Sequence, residues 1–233
     1  MKLIFKSLAA TSLALTATAP LAAPAQAQVA GIATSTPEAV MVRAAARVAG
    51  YEAINTTYPS QITQITTLRQ EVQTLTQSLD TNSDRNVTQQ EVDANPAVRT
   101  QIEQKQQQIE TLTQPIALAQ YYVIEQLLND YGNAQQQVIN SKNIQIMLTP
   151  EAFQYAAEGA DVTNDILAAL DQRVPTVQTV PPADYRPRQS TVQTHQAVQQ
   201  VILGLAQRAA IQQAQQNAAA QQPAQPPQQP SGR

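Results

Sequence analysis

The chain has 233 residues, of which 42% are hydrophobic and only 4% aromatic, and it contains no cysteine. The lack of cysteine excludes disulfides, thiolate metal sites and thiol chemistry. Its 14 basic and 17 acidic residues give a net charge of −3, and this mild acidity argues against binding to nucleic acid. Few aromatic residues and many glutamines favour an elongated helical domain with a tail over a bulky globular core.

Residues 1–27 have the pattern of a secretory signal peptide. Lys2 and Lys6 precede an apolar run that ends at the small-x-small sequence Ala25-Gln26-Ala27. Cleavage there would leave a mature chain that starts at Gln28, with 12 basic and 17 acidic residues and a net charge near −5. Since no later stretch is long and apolar enough to span a bilayer, we expect an exported, soluble product without a transmembrane segment.

Residues 28–58 predict the first part of a body. The stretch from Val29 to Ser35 is short, built of small residues and compatible with a β-strand. Thr36 followed by Pro37 is a typical helix start, because threonine can cap a helix and proline is tolerated at its first position. We expect this helix to end at Tyr58-Pro59, where proline removes a backbone donor and clashes with the preceding turn.

Residues 59–118 predict an antiparallel helical hairpin, which we call the arm. In both halves the apolar residues recur at alternating intervals of three and four, the pattern of a coiled-coil seam. Residues that face each other across such a hairpin have position numbers with a constant sum, and the two series meet this condition. The stretch from Ile62 to Leu79 would be about 27 Å long. The facing pairs are Leu79 with Val98, Leu75 with Ile102, Val72 with Lys105, Leu68 with Ile109, and Ile65 with Leu112.

Three residues interrupt the apolar pattern of the arm. Lys105 lies in the seam, where it either sets the register or, as we favour, packs its alkyl stem while the ammonium group reaches water. Pro59 and Pro115 fall within about one helical turn of the same level on the hairpin. They predict either a paired kink at which the arm swings or a mere change of packing.

The predicted tip of the arm reads LDTNSDRNVTQQEVDANP, and its oxygen-bearing residues have nearly the spacing of an EF-hand calcium loop. Against calcium, Arg85 stands where such a loop normally needs glycine. A plain turn explains the same residues, because Thr88 to Glu91 reads as a capping box and an EF-hand would splay helices that the seam brings together. We favour the turn and keep calcium as the alternative. The candidate metal ligands are Asp80, Asn82, Asp84, Asn86 and Glu91.

Residues 119–177 predict the second part of the body, in the order helix, strands, helix. The stretch from Asn143 to Thr149 alternates as a half-buried strand should, and Pro150 ends it. The stretch from Ala152 to Ala157 is expected to form the neighbouring strand. Thr163 suits the N-cap of a final helix.

Composition divides the C-terminal region into three segments. Residues 178–189 are rich in proline and predict a linker. Residues 190–213 predict a moderately amphipathic helix, with Val198 and Ile202 at helical spacing. Residues 214–233 are rich in glutamine and proline and lack the apolar content to order themselves, so we expect disorder.

The polar and aromatic side chains outside the arm do not form a catalytic set. His195 is the single histidine and lies on a glutamine-rich helix, so we interpret it as an exposed surface residue and expect no His-based triad or zinc site. Tyr121 and Tyr122 could contact a bound partner, but packing near the body is the interpretation that we favour. We therefore expect no enzyme, no catalytic residue and no cofactor, with calcium as the one alternative.

The order of strand, helical hairpin, strand and terminal helix resembles the OmpH/Skp family of periplasmic chaperones. The segment with the strongest resemblance is VINSKNIQIMLTPEAFQYAAEGADVTNDILAALDQRV, from Val138 to Val174. It contains the end of a long helix, an Ile-x-Ile strand, a second strand with Tyr155-Ala156, an Asp-Val-Thr turn and a final Ile-Leu helix. The resemblance extends from about Val29 to Val177 and rests on order and spacing.

This resemblance implies a predominantly helical α+β fold in which one long hairpin per protomer projects from a β-containing trimerisation body. It further implies a periplasmic homotrimer that holds unfolded outer-membrane proteins between its arms without ATP. No GxxxxGK[ST] phosphate loop is present in the sequence, in agreement with independence from ATP. Physically, a two-helix arm with short strands buries little apolar surface alone, and assembly through the body would supply the rest.

The sequence departs from the family in the charge of the arm. The better-known members of that family have strongly basic arms, whereas residues 61–118 contain four basic and seven acidic residues. Electrostatic capture of acidic clients or lipid headgroups is therefore not expected. Two other functions stay open, a calcium-binding envelope protein with an EF-hand-like loop at the tip and a structural coiled-coil spacer. The charged residues are Arg69, Arg85, Arg99 and Lys105 against Glu71, Asp80, Asp84, Glu91, Asp93, Glu103 and Glu110.

Overall fold

The structure, a computed structural model, describes residues 31–220. The predicted signal peptide and residues 221–233 of the predicted tail lie outside the described residues. The described part is predominantly helical with one small sheet, which confirms the predicted α+β class. Its elements are β1 (Ile32–Thr34), α1 (Pro37–Arg43), α2 (Ala45–Thr57), α3 (Pro59–Leu79), α4 (Gln89–Ala94), α5 (Pro96–Ser141), β2 (Ile146–Leu148), α6 (Thr163–Arg173) and α7 (Gln189–Ala220), with 3-10 turns at Pro150–Ala152 and Glu158–Ala160.

Helices α3 and α5 pack against each other to form the arm. Both begin with proline, Pro59 in α3 and Pro96 in α5, where the missing N–H costs the helix nothing. Pro115 lies inside α5, and this helix of 46 residues continues past it to Ser141. In the seam Ile65 and Leu79 are buried and the other predicted positions are half-buried. The arm is therefore held by one narrow strip of apolar contacts.

The body is organised around β1 and β2, which are parallel and pair Ile32 with Ile146 and Thr34 with Leu148. The carbonyl of Gly31 accepts hydrogen bonds from the backbone N–H groups of Gln145 and Ile146, at 2.7 and 2.8 Å. Because these strands lie on opposite sides of the arm in the sequence, their pairing closes the base of the hairpin.

The core lies where α1, α2 and α6 pack against the C-terminal half of α5. Gly50 of α2 shows how closely these helices approach, because a Cβ atom there would lie 3.1 Å from Cγ2 of Val123 and 3.0 Å from Cγ2 of Val177. The body thus has a dense centre that the arm lacks. Its largest fully buried side chains include those of Val40, Met41, Ile54, Val123, Ile124, Leu127, Ile166 and Leu170.

The prediction of a second strand from Ala152 to Ala157 is wrong. The chain makes a 3-10 turn over Pro150–Ala152 and then continues without strand pairing, and Tyr155 is 85% exposed. The place beside Thr34 is instead taken by Asp161, which forms a single parallel bridge, while the N–H of Val162 donates to the Thr34 carbonyl. A turn that begins with proline directs this segment away from the edge of β2.

The C-terminal region also differs from the prediction. The proline-rich stretch is not a free linker, since the backbone N–H of Gln178 donates to Oε1 of Gln126 at 2.9 Å and Tyr185 bonds to Glu125. Helix α7 then runs to Ala220, so residues 214–220, predicted as disordered, are helical. The first half of α7 packs on α1 and α5.

Candidate functional site

The arm has two flanks that differ in charge. Residues one position before each seam residue lie on one side, which we call the neutral flank, and those one position after lie on the other, the charged flank. The neutral flank has one charged residue, Glu71, among Gln64, Thr67, Thr74, Ser78, Ala97, Gln101, Gln104, Gln108 and Thr111. The charged flank has five, Arg69, Asp80, Arg99, Glu103 and Glu110, beside Thr66, Gln73, Thr76, Gln106 and Thr113.

A groove of about 700 Å³ runs along the neutral flank between α3 and α5. Leu68 and Leu112 of the seam form its floor, and both are half-buried. Sequence reasoning identified the seam but missed the groove, although glutamines beside the seam positions were a visible signal. The groove is lined by Thr63, Gln64, Thr67, Leu68, Gln104, Gln107, Gln108, Thr111 and Leu112.

The charges of the neutral flank neutralise each other. Lys105 reaches across from the seam to Glu71, with 2.6 Å between Nζ and Oε2. The ammonium group of Lys105 thus makes a solvent-exposed ion pair across the arm. This pair lies in a second groove of about 420 Å³ that shares Thr67 with the first.

At the tip, the candidate metal ligands are engaged with the loop itself. Asp80 accepts hydrogen bonds from the backbone N–H groups of Asp84 and Arg85, at 3.2 and 2.8 Å. Asn82 accepts a second bond from Asp84 at 2.8 Å, and Asp84 accepts one from Asn86 at 2.8 Å. Arg85 has a positive φ of 66°, the conformation for which the sequence analysis required glycine. The result is a series of turns, each closed by a hydrogen bond from a backbone N–H group to a side-chain oxygen.

Glu91 closes the capping box at the start of α4. One carboxylate oxygen accepts from the N–H and hydroxyl of Thr81, both at 3.0 Å, and the other from the N–H and hydroxyl of Thr88, at 3.0 and 2.9 Å. The hydrogen bonds from Thr88, followed by those from Thr81, lower the pKa of Glu91 to about 2. These four donors therefore occupy both oxygens of the Glu91 carboxylate in this geometry. Among residues 31–220, no group of three or more His, Cys, Asp or Glu side chains is arranged to hold a metal ion.

His195 is buried, and its assignment as an exposed surface residue was wrong. It is 9% exposed on the inner face of α7, with its ring 4.8 Å from that of Tyr121 and 6.4 Å from that of Tyr51. Its Nε2 lies 3.1 Å from Oε1 of Gln120. Burial lowers the pKa of His195, because the charged imidazolium loses hydration there.

Glu125 of α5 fixes the C-terminal region to the body. The Thr191 hydroxyl donates to its Oε2 at 2.7 Å, the Tyr185 hydroxyl at 3.0 Å and the Arg188 backbone at 3.3 Å. Burial alone would raise the pKa of Glu125, but these hydrogen bonds and the charge of Arg188 outweigh it and lower the pKa. Tyr122 packs edge-on to Tyr185, with ring centroids 5.1 Å apart. Neither Glu125 nor Tyr185 was identified from the sequence.

An apolar surface is exposed beside the sheet of the body. In β2, Ile146 is 50% and Leu148 38% exposed, and Tyr155 follows shortly after the strand. Within residues 31–220, β2 pairs with β1 alone, so its other edge has free backbone groups. An unpaired edge with exposed apolar side chains favours association.

Comparison with known proteins finds one similar solved structure. A protein from Caulobacter crescentus CB15, described as an OmpH-like candidate outer membrane chaperone, aligns with 78% of this chain and 100% of its own at 16% identity and a TM-score of 0.40. No protein-family model matches the sequence. No curated protein matches it either.

None of the helices between residues 31 and 220 combines the length and apolar character that crossing a bilayer requires.

Proposed function

We propose that the protein is an ATP-independent holdase chaperone of the periplasm that shelters unfolded outer-membrane proteins between helical arms. The observation that carries this proposal is the arm itself, a long two-helix projection with grooves on its flank. Such a surface offers many weak contacts, which add up over an unfolded chain and also permit release. The resemblance of Val138 to Val174 to OmpH/Skp sequences supports the same function.

The working form would be a homotrimer that assembles through the body. The exposed side chains of Ile146, Leu148 and Tyr155 support this inference, because copies that cover them would remove apolar surface from water. The free edge of β2 could at the same time gain hydrogen bonds from a neighbouring copy. Three arms on one body would then enclose a sheltered volume.

The test is an aggregation assay combined with a mass measurement. A urea-unfolded outer-membrane β-barrel protein is diluted into buffer without ATP, with and without one assembly of the mature protein per client, and light scattering is followed. We expect suppression of scattering at this ratio and a trimeric mass in solution. Unchanged client aggregation would refute the holdase function and favour the structural spacer.

A further inference from the structure

We propose that the groove on the neutral flank of the arm binds an extended, uncharged segment of an unfolded polypeptide. This inference rests on the proposed holdase function and deepens it by naming the contact surface and the kind of client segment that fits it. The nine side chains that line the groove carry no charge.

The chemistry of the lining matches that of a peptide backbone. Gln104, Gln107 and Gln108 are exposed, and each side-chain amide offers both a donor and an acceptor, as a peptide group does. On the facing helix, the amide of Gln64 donates to the Ser60 hydroxyl at 3.2 Å, which leaves its oxygen able to accept. Water held by these amides can be exchanged for the N–H and C=O groups of a client.

The spacing of the amides also fits an extended chain. Gln104 and Gln108 are four residues apart on α5, a rise of about 6 Å along the helix. In an extended strand the groups that point to the same side repeat every two residues, or roughly 6.6 Å. A strand laid along the groove can therefore place one backbone group beside each of these two amides, one strand repeat apart, while small apolar side chains can reach Leu68 and Leu112.

The charged flank is a poor competitor for such a segment. Arg99 interacts with Glu103 at 3.6 Å, and Arg69 and Glu110 are exposed. Covering these ions with an uncharged backbone would remove their hydration without replacing it. The segments that form the membrane-spanning strands of a β-barrel protein have apolar, uncharged residues at every second position, so they suit the neutral flank better than the charged one.

The test compares cross-linking from two glutamines of the same helix. A photoreactive amino acid replaces either Gln108 in the groove or Gln106 on the charged flank, in the full mature chain, with the unfolded β-barrel protein as client. We expect client cross-links from position 108 at several times the yield from position 106. Equal yields would overturn the groove, as would cross-links from 108 to a second copy of the chain that persist when client is added.

A binding measurement with matched variants completes the test. Gln104→Ala combined with Gln108→Ala should weaken client affinity roughly tenfold, the loss expected for two hydrogen bonds, while Gln73→Ala combined with Gln106→Ala on the charged flank should not. Alanine favours helix, so both variants should keep the circular dichroism of the parent. The affinity of the parent protein for the client should change little between about 0.05 and 0.5 M salt, because no charged side chain lines the groove.

The two proposals fail in different ways. If the parent protein does not bind the unfolded client, the holdase function itself is wrong. If the parent binds the client and the groove variant binds equally well, the holdase function stands and the groove assignment is wrong.

Discussion

The arm and the body differ in how deeply they bury their apolar side chains. In the body, helices from four parts of the chain surround fully buried residues such as Ile124 and Leu170, and ion pairs such as Arg173 with Asp130 at 2.5 Å close its surface. In the arm, two helices share one seam, and most of its residues are only half-buried. The difference teaches that the body can define an assembly while the arm remains an accessible, weakly held surface, and the following predictions test that contrast.

The largest expected effect comes from removing the same leucine side chain in the two regions. Leu127→Ala in the body should lower the free energy of unfolding by about 2–5 kcal/mol, because it leaves a cavity among fully buried neighbours. Leu75→Ala in the half-buried seam should cost clearly less, since solvent already reaches that site. Urea unfolding of both variants at one protein concentration measures the difference. Equal losses would contradict the contrast between arm and body.

A smaller effect is expected from adding one methyl group to a glycine. Gly50→Ala should destabilise the body by about 1–3 kcal/mol, because the new Cβ would be forced against Val123 and Val177. Gly132→Ala is the matched control in α5, where nothing lies within 4 Å of the added atom. That variant should gain up to about 1 kcal/mol from helix propensity. Thermal unfolding of the two variants should therefore shift in opposite directions.

Acidification should loosen α7 before it affects the arm. The pKa of His195 is lower in the folded state than the usual 6.5, so its contribution to docking is fully present above about pH 6.5 and is lost as pH falls through the folded pKa. The side chains around it, Tyr51, Tyr121, Gln120 and Gln199, provide no negative charge to stabilise an imidazolium. The protection of residues 191–202 against hydrogen exchange, that is the ratio of the intrinsic exchange rate at each pH to the measured rate, should therefore be lower at pH 5.5 than at pH 7.5.

The control for this pH effect is His195→Gln. Glutamine keeps a polar side chain but cannot titrate, so the difference in exchange between the two pH values should disappear in this variant. A parent protein whose α7 exchanges equally at both pH values, after correction for intrinsic rates, would show that the buried histidine does not control docking.

The smallest effect is expected from calcium. Because the oxygens of Asp80 and Glu91 already accept hydrogen bonds within the loop, titration of the mature protein with calcium should release no heat of binding. A heat of binding that is measured for the parent protein and disappears in the Asp80→Ala variant would instead support the alternative of a calcium-binding tip.

Local periodicity made the arm predictable from the sequence. The alternation of three and four residues places Ile65 and Leu79 in a seam whatever the rest of the chain does, and a proline at the first position marks the start of both α3 and α5. The tip followed the same logic, since the capping box of Thr88 and Glu91 depends on residues three positions apart.

The features that were missed depend on partners that are distant in the sequence. A second strand after β2 was predicted from composition, but a strand needs an edge to pair with, and the turn at Pro150 leads the chain elsewhere. His195 looked polar and exposed, yet its spacing of four from Thr191 and three from Val198 placed it on the face that docks. Tyr185 between prolines was another overlooked signal of docking.

The most direct test of the holdase function shortens the arm and leaves the body intact. Deleting residues 66–72 together with the facing residues 105–111 removes one heptad from each helix, about 10 Å of arm, and keeps the seam in register. We predict that this variant keeps the parent's number of subunits, determined from its mass in solution, but loses most of its ability to suppress aggregation of an unfolded β-barrel protein. Suppression equal to that of the parent would contradict the claim that the arms shelter the client.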